Sequence, residues 1–295
     1  DQPFAPLLKS LVDEAEYIII GPQNFESASQ PLLNHRSSFD SDPLTTSYVP
    51  LEEIYIEFLD ENNSEAEAIL AFFENAVNNW SDSLAFALLM GDIEFVPTMY
   101  RGAGEYEYAS DDLLAAIDGD IPAVALGRYP ARNVADVEAF VEKIIAYETN
   151  PELGLWRNLI TLAADDVERP VANDTEHIEY SDSLAINYIP SFINVQKIYL
   201  TEYSEVSDAS AYGVVKPGAT QALFDALNNG TAIINYIGHG SSSSWAQEKL
   251  LQKDRGDIQF INTGMKLPIW IAGTCSWGQF DNPNADAFSE DIIRL

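Results

Sequence analysis

The sequence of 295 residues is poor in cysteine, histidine and positive charge. It has one cysteine and three histidines, and 15 Lys and Arg stand against 47 Asp and Glu, for a net charge of −32. A single cysteine excludes an intrachain disulfide. The negative charge argues against nucleic acid or an anionic membrane as a partner, because both would be repelled. The charge fits a secreted, surface-exposed or salt-adapted protein, and it also fits plain solubility.

Long apolar runs are missing as well. No run approaches the roughly 18 apolar residues of a membrane-spanning helix. The chain begins at Asp1 without a methionine or a signal-like segment, and it ends at Leu295 soon after the start of a predicted helix. We therefore expect it to be a domain of a longer protein. With 46% apolar and 11% aromatic residues, the chain can bury a sizeable core.

Strand-like and helical segments alternate along the chain, which predicts an α/β fold with mostly parallel sheets flanked by helices. Short apolar runs predict strands at residues 16–20, 45–49, 85–90, 124–126, 159–163, 195–200, 232–237 and 267–272. Helical spacing predicts helices at 24–35, 51–58, 64–80, 133–148, 175–189 and 218–227. Residues 149–154 break the pattern and predict a link between an N-terminal half, 1–150, and a C-terminal half, 151–295.

Two apolar runs in the C-terminal half each end in a reactive side chain. Residues 232–237 lead into Gly238-His239-Gly240, and residues 267–272 lead into Gly273-Thr274-Cys275. The interval between them has room for a crossover and a second, parallel strand. Because sites in open α/β sheets form outside the carboxyl ends of the strands, we expect the histidine and the cysteine to lie close together.

This placement predicts a Cys275–His239 pair that performs nucleophilic catalysis. A thiol is mostly protonated at neutral pH, and the thiolate is the species that attacks. The imidazole can take the thiol proton and later protonate a leaving amine. The backbone amides of Gly240 and Cys275 are candidates for binding the oxyanion. A buried structural cysteine and an ordinary histidine are the alternatives.

These segments resemble the gingipain family of cysteine peptidases. The motifs are Tyr236–Gly240 with Trp245 and Glu248 downstream, and Thr274–Ser276 followed by Gln279–Pro283. Weaker matches in order and spacing lie at 88–92, 96–98, 110–112, 127–132, 145–148 and 163–166, so the resemblance covers roughly residues 15 to 295. Within the family, the likeness is to the PorU-type sortases of the type IX secretion system.

The resemblance implies a caspase-like (gingipain-like) fold of two side-by-side subdomains, with the catalytic pair in the second. It implies a peptidase that requires no cofactor, with structural calcium as an option, acting outside a bacterial cell or at its outer-membrane surface. In the sortase branch, the acyl-enzyme forms on a secreted protein with a C-terminal sorting signal and passes to an amine on a surface glycolipid. Other surface components of the secretion system are then partners. A secreted endopeptidase without this role and a catalytically silent adhesin or scaffold domain are the alternatives.

The resemblance also assigns roles to individual residues. Asp92 lies where an acid of the family orients the catalytic histidine, and a loop carboxylate that caps the next turn is the alternative. Asp111 matches an acid in the specificity pocket of arginine-specific members, and a helix cap is the alternative. Trp245 and Trp277 complete the predicted substrate pocket. The serines at 241–244 replace the Gly-Glu type of residues expected after the His-Gly pair.

The sequence contains several candidate metal ligands but does not fix a metal site. Asp118-Gly119-Asp120 offers carboxylates for calcium, although a plain turn is favoured. His177 stands among acidic residues without tight ligand spacing, which favours a solvated face over a cation site. Asp165 and Asp166 follow a predicted strand, where carboxylates serve either chemistry or a metal.

Overall fold

Two parallel sheets, one in each of two compact units, organise the chain. The structure is a computed structural model that describes residues 15–38, 41–81, 83–166, 175–209 and 213–295. The first unit contains the described residues up to Thr149, and the second begins at Asn150. Near its C-terminal end, the chain contributes Phe280–Asp286 and Arg294 to the first unit, which the sequence does not predict.

The sheet of the first unit has four parallel strands. In spatial order they are β2 (Thr46–Pro50), β1 (Tyr17–Gly21), β3 (Phe86–Met90) and β6 (Ala125–Tyr129). The isoleucines of β1 are fully buried, because helices cover both faces of such a sheet.

Four helices of the first unit are α1 (Glu26–Ser37), α2 (Leu51–Phe58), α3 (Glu65–Asn79) and α4 (Val134–Thr149). Side chains just outside the helices set where they begin. Ser64 and Glu67, three residues apart, form a capping box at the start of α3. Asn133 Oδ1 accepts the Asp136 N–H at 3.0 Å and so caps the start of α4.

A short antiparallel hairpin occupies the stretch that looks unpatterned in the sequence. Its strands are β4 (Met99–Arg101) and β5 (Tyr108–Ser110). Strands of three residues are too short for an alternating pattern to show. Ser110 makes no side-chain cap to the following 3-10 helix, Asp111–Ala115.

The sheet of the second unit also has four parallel strands. In spatial order they are β15 (Ile269–Gly273), β11 (Ile233–Ile237), β7 (Leu159–Ala164) and β8 (Asn194–Tyr199). Its helices are α5 (Glu176–Ser183), which continues as a π-helix over Leu184–Tyr188, α6 (Pro217–Asn229) and α7 (Phe288–Arg294). Gly230 ends α6 with a φ of 100°, as the Asn-Asn-Gly sequence predicts.

Short strands complete the second unit. β9 (Val206–Asp208) pairs with β10 (Gly213–Val215), and β12 (Gly240–Ser241), β13 (Ser244–Trp245) and β14 (Leu251–Gln252) form a small antiparallel sheet. The small antiparallel sheet starts directly after His239 and supports the loop that carries this histidine.

The predicted α/β architecture with mostly parallel sheets is confirmed. Every predicted strand and helix is present, and each begins within about two residues of its predicted start. Among the described residues, no helix has both the length and the apolar character of a membrane span.

Candidate functional site

Strand register places His239 and Cys275 at equivalent positions of one sheet edge. β11 and β15 are neighbours and run parallel, with Ile237 opposite Gly273. His239 lies two residues after Ile237, and Cys275 lies two residues after Gly273. The contact continues past the strands, because the Gly238 N–H donates to the Gly273 carbonyl at 3.2 Å. Both side chains therefore belong to the carboxyl edge, where sites of such sheets form.

Close packing between the two loops requires glycine. A β-carbon added to Gly240 would collide with Thr274 Oγ1, and one added to Gly238 would collide with Tyr236 Oη and with Asp165. Neither glycine has a positive φ. These glycines are therefore needed because neighbouring side chains leave no room for a β-carbon.

Cys275 lies in an exposed turn. It is a free thiol, and it is accessible to solvent. Ser276, the next residue, has a φ of 53°, a left-handed conformation that costs a non-glycine residue roughly 1 kcal/mol. Backbone outliers of this kind cluster at functional sites, where a sharp turn presents a side chain.

Asp165 and His177 lie beside His239. Asp165 follows β7, the neighbour of β11, and its Oδ2 accepts the His239 N–H at 3.0 Å. His177, in the first turn of α5, meets the His239 ring edge-on, with ring centroids 4.8 Å apart. One nitrogen or oxygen from each of the three side chains lies within 4.8 Å of the others. His177, half-buried on α5, thus lies with Asp165 and His239 in a group of side chains that could hold a metal ion.

Sequence reasoning missed this trio because the three residues come from separate elements. A signal was available, since the first turn of a helix that follows a parallel strand commonly lies near the carboxyl edge of the sheet. His177 lies in the first turn of α5, the helix that follows Asp165 in the chain.

Burial raises the pKa of Asp165 to about 6. The N–H groups of His239 and Asp166 donate to its carboxylate and oppose this shift, while the charge of Asp166 adds to it. A carboxyl group whose pKa is shifted by burial and by specific neighbours is typical of functional sites.

A buried acidic cluster lies behind Asp165. Asp165, Asp166 and Glu248 each place an oxygen within 4.8 Å of the other two. Lys216 forms an ion pair with Asp166 and also donates to the Leu200 carbonyl at 2.7 Å. Burial, and then the charge of Asp166, raises the pKa of Glu248 to about 7. This cluster thus contains three carboxyl groups and one ammonium group.

Aromatic packing supports the histidine loop from inside the core. The Tyr236 hydroxyl donates to the His239 carbonyl at 2.7 Å, and its ring stacks on Trp245 at 4.3 Å. Trp277 lies 5.0 Å from Trp245. Trp245 is 0% exposed, so the structure corrects its predicted place in the substrate pocket. Trp277, 7% exposed, packs in the same core, and its predicted pocket role stays a prediction.

The two predicted acids of the N-terminal half lie in the first unit. Asp92 is buried at the end of β3, where its carboxylate accepts the Ile93 N–H at 2.7 Å and pairs with Arg294 at 3.3 Å. Asp111 forms a bidentate ion pair with Arg128, at 2.7 and 2.8 Å, and accepts a hydrogen bond from the Thr98 hydroxyl. The negative charge of Asp111 is therefore balanced within its own unit.

Among the described residues, groups with metal-ligand geometry are confined to the second unit. They are the trio Asp165, His177 and His239 and the acidic cluster of Asp165, Asp166 and Glu248. The predicted turn with Asp120 lies elsewhere, and Asp120 forms an ion pair with Arg101.

Comparisons with known proteins show which family this chain resembles along its length. The model of peptidase family C25 matches residues 10–295. Gingipain R2 of Porphyromonas gingivalis is 25% identical over 78% of this chain and 29% of its own length. Lys-gingipain of the same organism is 23% identical over 77% of this chain and 12% of its own length. The chain thus spans less than a third of the curated relatives described here.

The crystal structure of the Arg-specific cysteine proteinase gingipain R matches 99% of this chain and 61% of that chain. Its TM-score is 0.71 at 20% identity, a likeness of fold. The predicted caspase-like, gingipain-like fold is therefore confirmed. Since the family model extends over almost the whole sequence, this chain belongs to peptidase family C25, the family of the gingipain cysteine peptidases.

Proposed function

We propose that the second unit is the catalytic part of a cysteine endopeptidase, with Cys275 as the nucleophile and His239 as the base and acid. The observation that carries the proposal is the register of β11 and β15, which brings both residues to one sheet edge. The exposure of the thiol adds support, because a nucleophile must reach a substrate carbonyl.

In the proposed reaction, His239 takes the thiol proton and the sulfur of Cys275 attacks the substrate carbonyl carbon. The imidazolium then protonates the leaving amine as the C–N bond breaks, which leaves an acyl-enzyme. Water or another amine releases the acyl group and regenerates the thiol. These steps use only side chains and backbone of the chain, so we propose that no cofactor is required. Structural calcium stays a prediction.

Gly240 is well placed to donate to the oxyanion. In the pairing of β12 with β13, the Ala246 N–H donates to the His239 carbonyl at 2.8 Å, so Gly240 and Trp245 form a pair without hydrogen bonds. The N–H of Gly240 therefore points away from β13. We propose that it acts with the Cys275 N–H, and losing one such donor costs roughly a hundredfold to a thousandfold in rate.

Asp165 is the carboxylate that holds the histidine loop in the second unit. Its hydrogen bond to the His239 N–H and its proximity to the imidazole support a positioning role. Asp92 keeps the orienting role only as a prediction, since its carboxylate pairs with Arg294 and accepts the adjacent Ile93 N–H.

Peptide hydrolysis tests the dyad. Cys275→Ala is expected to abolish turnover, and His239→Ala to lower kcat/KM by roughly a hundredfold to ten-thousandfold. The matched control is His35→Ala, because His35 pairs with Glu148 in the first unit. Equal iodoacetamide labelling rates in the native protein and in His239→Ala, with no hydrolysis in either, would favour the silent scaffold domain.

Within this class, we propose a sortase at the bacterial surface. The acyl-enzyme would form on a secreted protein with a C-terminal sorting signal and pass to an amine on a surface glycolipid, alongside other surface components of the secretion system. Support comes from the sequence between Cys275 and Pro283 and from the net charge of −32, which fits an exposed location. The test supplies the full-length protein with such a substrate and an amine. Hydrolysis without transfer would leave the secreted endopeptidase alternative.

A further inference from the structure

We propose that Asp165, His177 and His239 form a binding site for a divalent transition metal, with Zn²⁺ as the best fit. A metal bound there occupies the imidazole of His239 and switches the protein off reversibly. The site itself rests on the geometry of the second unit. The inhibitory consequence rests on the proposed function.

The spacing of the three side chains suits a single ion. Zn²⁺ lies about 2.0–2.2 Å from its nitrogen and oxygen ligands, which places tetrahedral ligand atoms roughly 3.3 Å apart. The candidate atoms lie within 4.8 Å of one another, so shifts of about 1 Å or less per side chain close the site. The three ligands come from the end of β7, the first turn of α5 and the end of β11, which converge at one sheet edge.

The donor types select the class of metal. Imidazole nitrogens suit zinc, copper, iron and nickel, whereas calcium and magnesium prefer oxygen ligands. Two histidines and one carboxylate leave a fourth position for water, as in many zinc sites. The set therefore favours Zn²⁺ or Co²⁺ over Ca²⁺.

The carboxylate of the site is already held in place. Asp165 Oδ1 accepts the Asp166 N–H at 2.9 Å, and Oδ2 accepts the His239 N–H at 3.0 Å. A carboxylate oxygen has two lone pairs, so these two backbone hydrogen bonds use one lone pair on each oxygen. Backbone hydrogen bonds that orient a ligand in this way are typical of metal sites.

The acidic cluster behind Asp165 adds an independent attraction for a cation. Its three carboxyl groups face one ammonium group, Lys216, which pairs with Asp166 through Oδ2. The other oxygen of Asp166, Oδ1, is buried without a hydrogen-bond partner among the described residues, in a side chain that is 10% exposed. A cation next to Asp165 would offset the excess of carboxyl groups over ammonium groups in this cluster.

Metal binding and proton transfer exclude each other at His239. A ring nitrogen that coordinates a metal cannot accept the proton of Cys275, and a metal ligand must itself be unprotonated. In this arrangement His177 is the ligand that makes the pair of catalytic side chains sensitive to zinc.

The binding experiment uses the Cys275→Ala protein, so that the thiol contributes nothing. Titration with Co²⁺, followed by visible absorption, is expected to show one bound ion that Zn²⁺ displaces. Adding His177→Ala is expected to weaken binding by at least about tenfold, since even the loss of an outer partner costs roughly tenfold to a hundredfold. Adding His35→Ala, the matched control in the first unit, is expected to leave affinity unchanged. Circular dichroism verifies folding of each variant.

Two results would overturn the site: no saturable Co²⁺ binding to Cys275→Ala, or equal affinity with and without His177. A second arm measures Zn²⁺ inhibition of peptide hydrolysis, where His177→Ala is expected to raise the inhibitory concentration at least about tenfold. Inhibition that does not depend on His177 would assign zinc to the Cys–His pair alone and refute the proposal. Because the Co²⁺ arm uses an inactive protein, failure of the proposed peptidase activity is recognised separately.

Discussion

Replacing Glu248 with glutamine should stabilise the protein at alkaline pH and have little effect in acid. Glu248 is 2% exposed, and burial raises its pKa from 4.5 to about 7, with the charges of Asp166 and Asp165 adding to the shift and Lys216 opposing it. A carboxyl group whose pKa is higher in the folded state favours folding when protonated. Its contribution is therefore fully present below about pH 4.5 and is lost as the pH rises through about 7.

The size of the effect follows from the pKa shift. Each pKa unit corresponds to about 1.4 kcal/mol, so a shift from 4.5 to about 7 places an upper limit of roughly 3.5 kcal/mol on the free energy of unfolding lost above pH 8. Glutamine has nearly the same shape and carries no charge. We expect Glu248→Gln to gain about 1–3 kcal/mol at pH 8.5 and close to nothing at pH 4.5.

Urea unfolding followed by circular dichroism, at both pH values and with EDTA present, measures this difference. Glu202→Gln is the matched control, because Glu202 is an exposed carboxyl group in the same unit. A gain of equal size at both pH values, or a loss at pH 8.5, would refute the reasoning from burial.

Three further predictions concern the remaining acids and the histidine loop. Asp165→Asn is expected to lower kcat for peptide hydrolysis at least about tenfold, and more than Asp92→Asn does; the reverse order would return the positioning role to Asp92. Arg128→Met is expected to lower the free energy of unfolding by about 3–5 kcal/mol, because it leaves the carboxylate of Asp111 without its ion-pair partner. Adding Asp111→Asn to Arg128→Met should recover part of that loss, as measured by urea unfolding. Gly240→Ala is expected to reduce both the midpoint of thermal unfolding and activity, since its β-carbon collides with a threonine side chain of the neighbouring loop; an unchanged midpoint would contradict the packing.

Local features of the fold were predictable because they depend on short stretches of sequence. Apolar runs give parallel strands in both units, and helix starts at Ser64 and Asn133 follow from caps within four residues. The stop at Gly230 depends only on a conformation that glycine adopts readily. β4 and β5 escaped prediction because strands of three residues carry too little pattern.

The placement of His239 and Cys275 at strand ends was also predictable, since each follows a short, continuous apolar run. What the sequence alone determined is therefore the α/β fold, the strands and helices of its two main sheets, and the two side chains that follow β11 and β15. Tertiary structure alone decided which groups surround them: Asp165 and His177 beside the histidine, Trp245 inside the core, and Arg128 across from Asp111. These contacts join residues far apart in the chain, and they depend on strand order and helix packing, which local propensities do not encode.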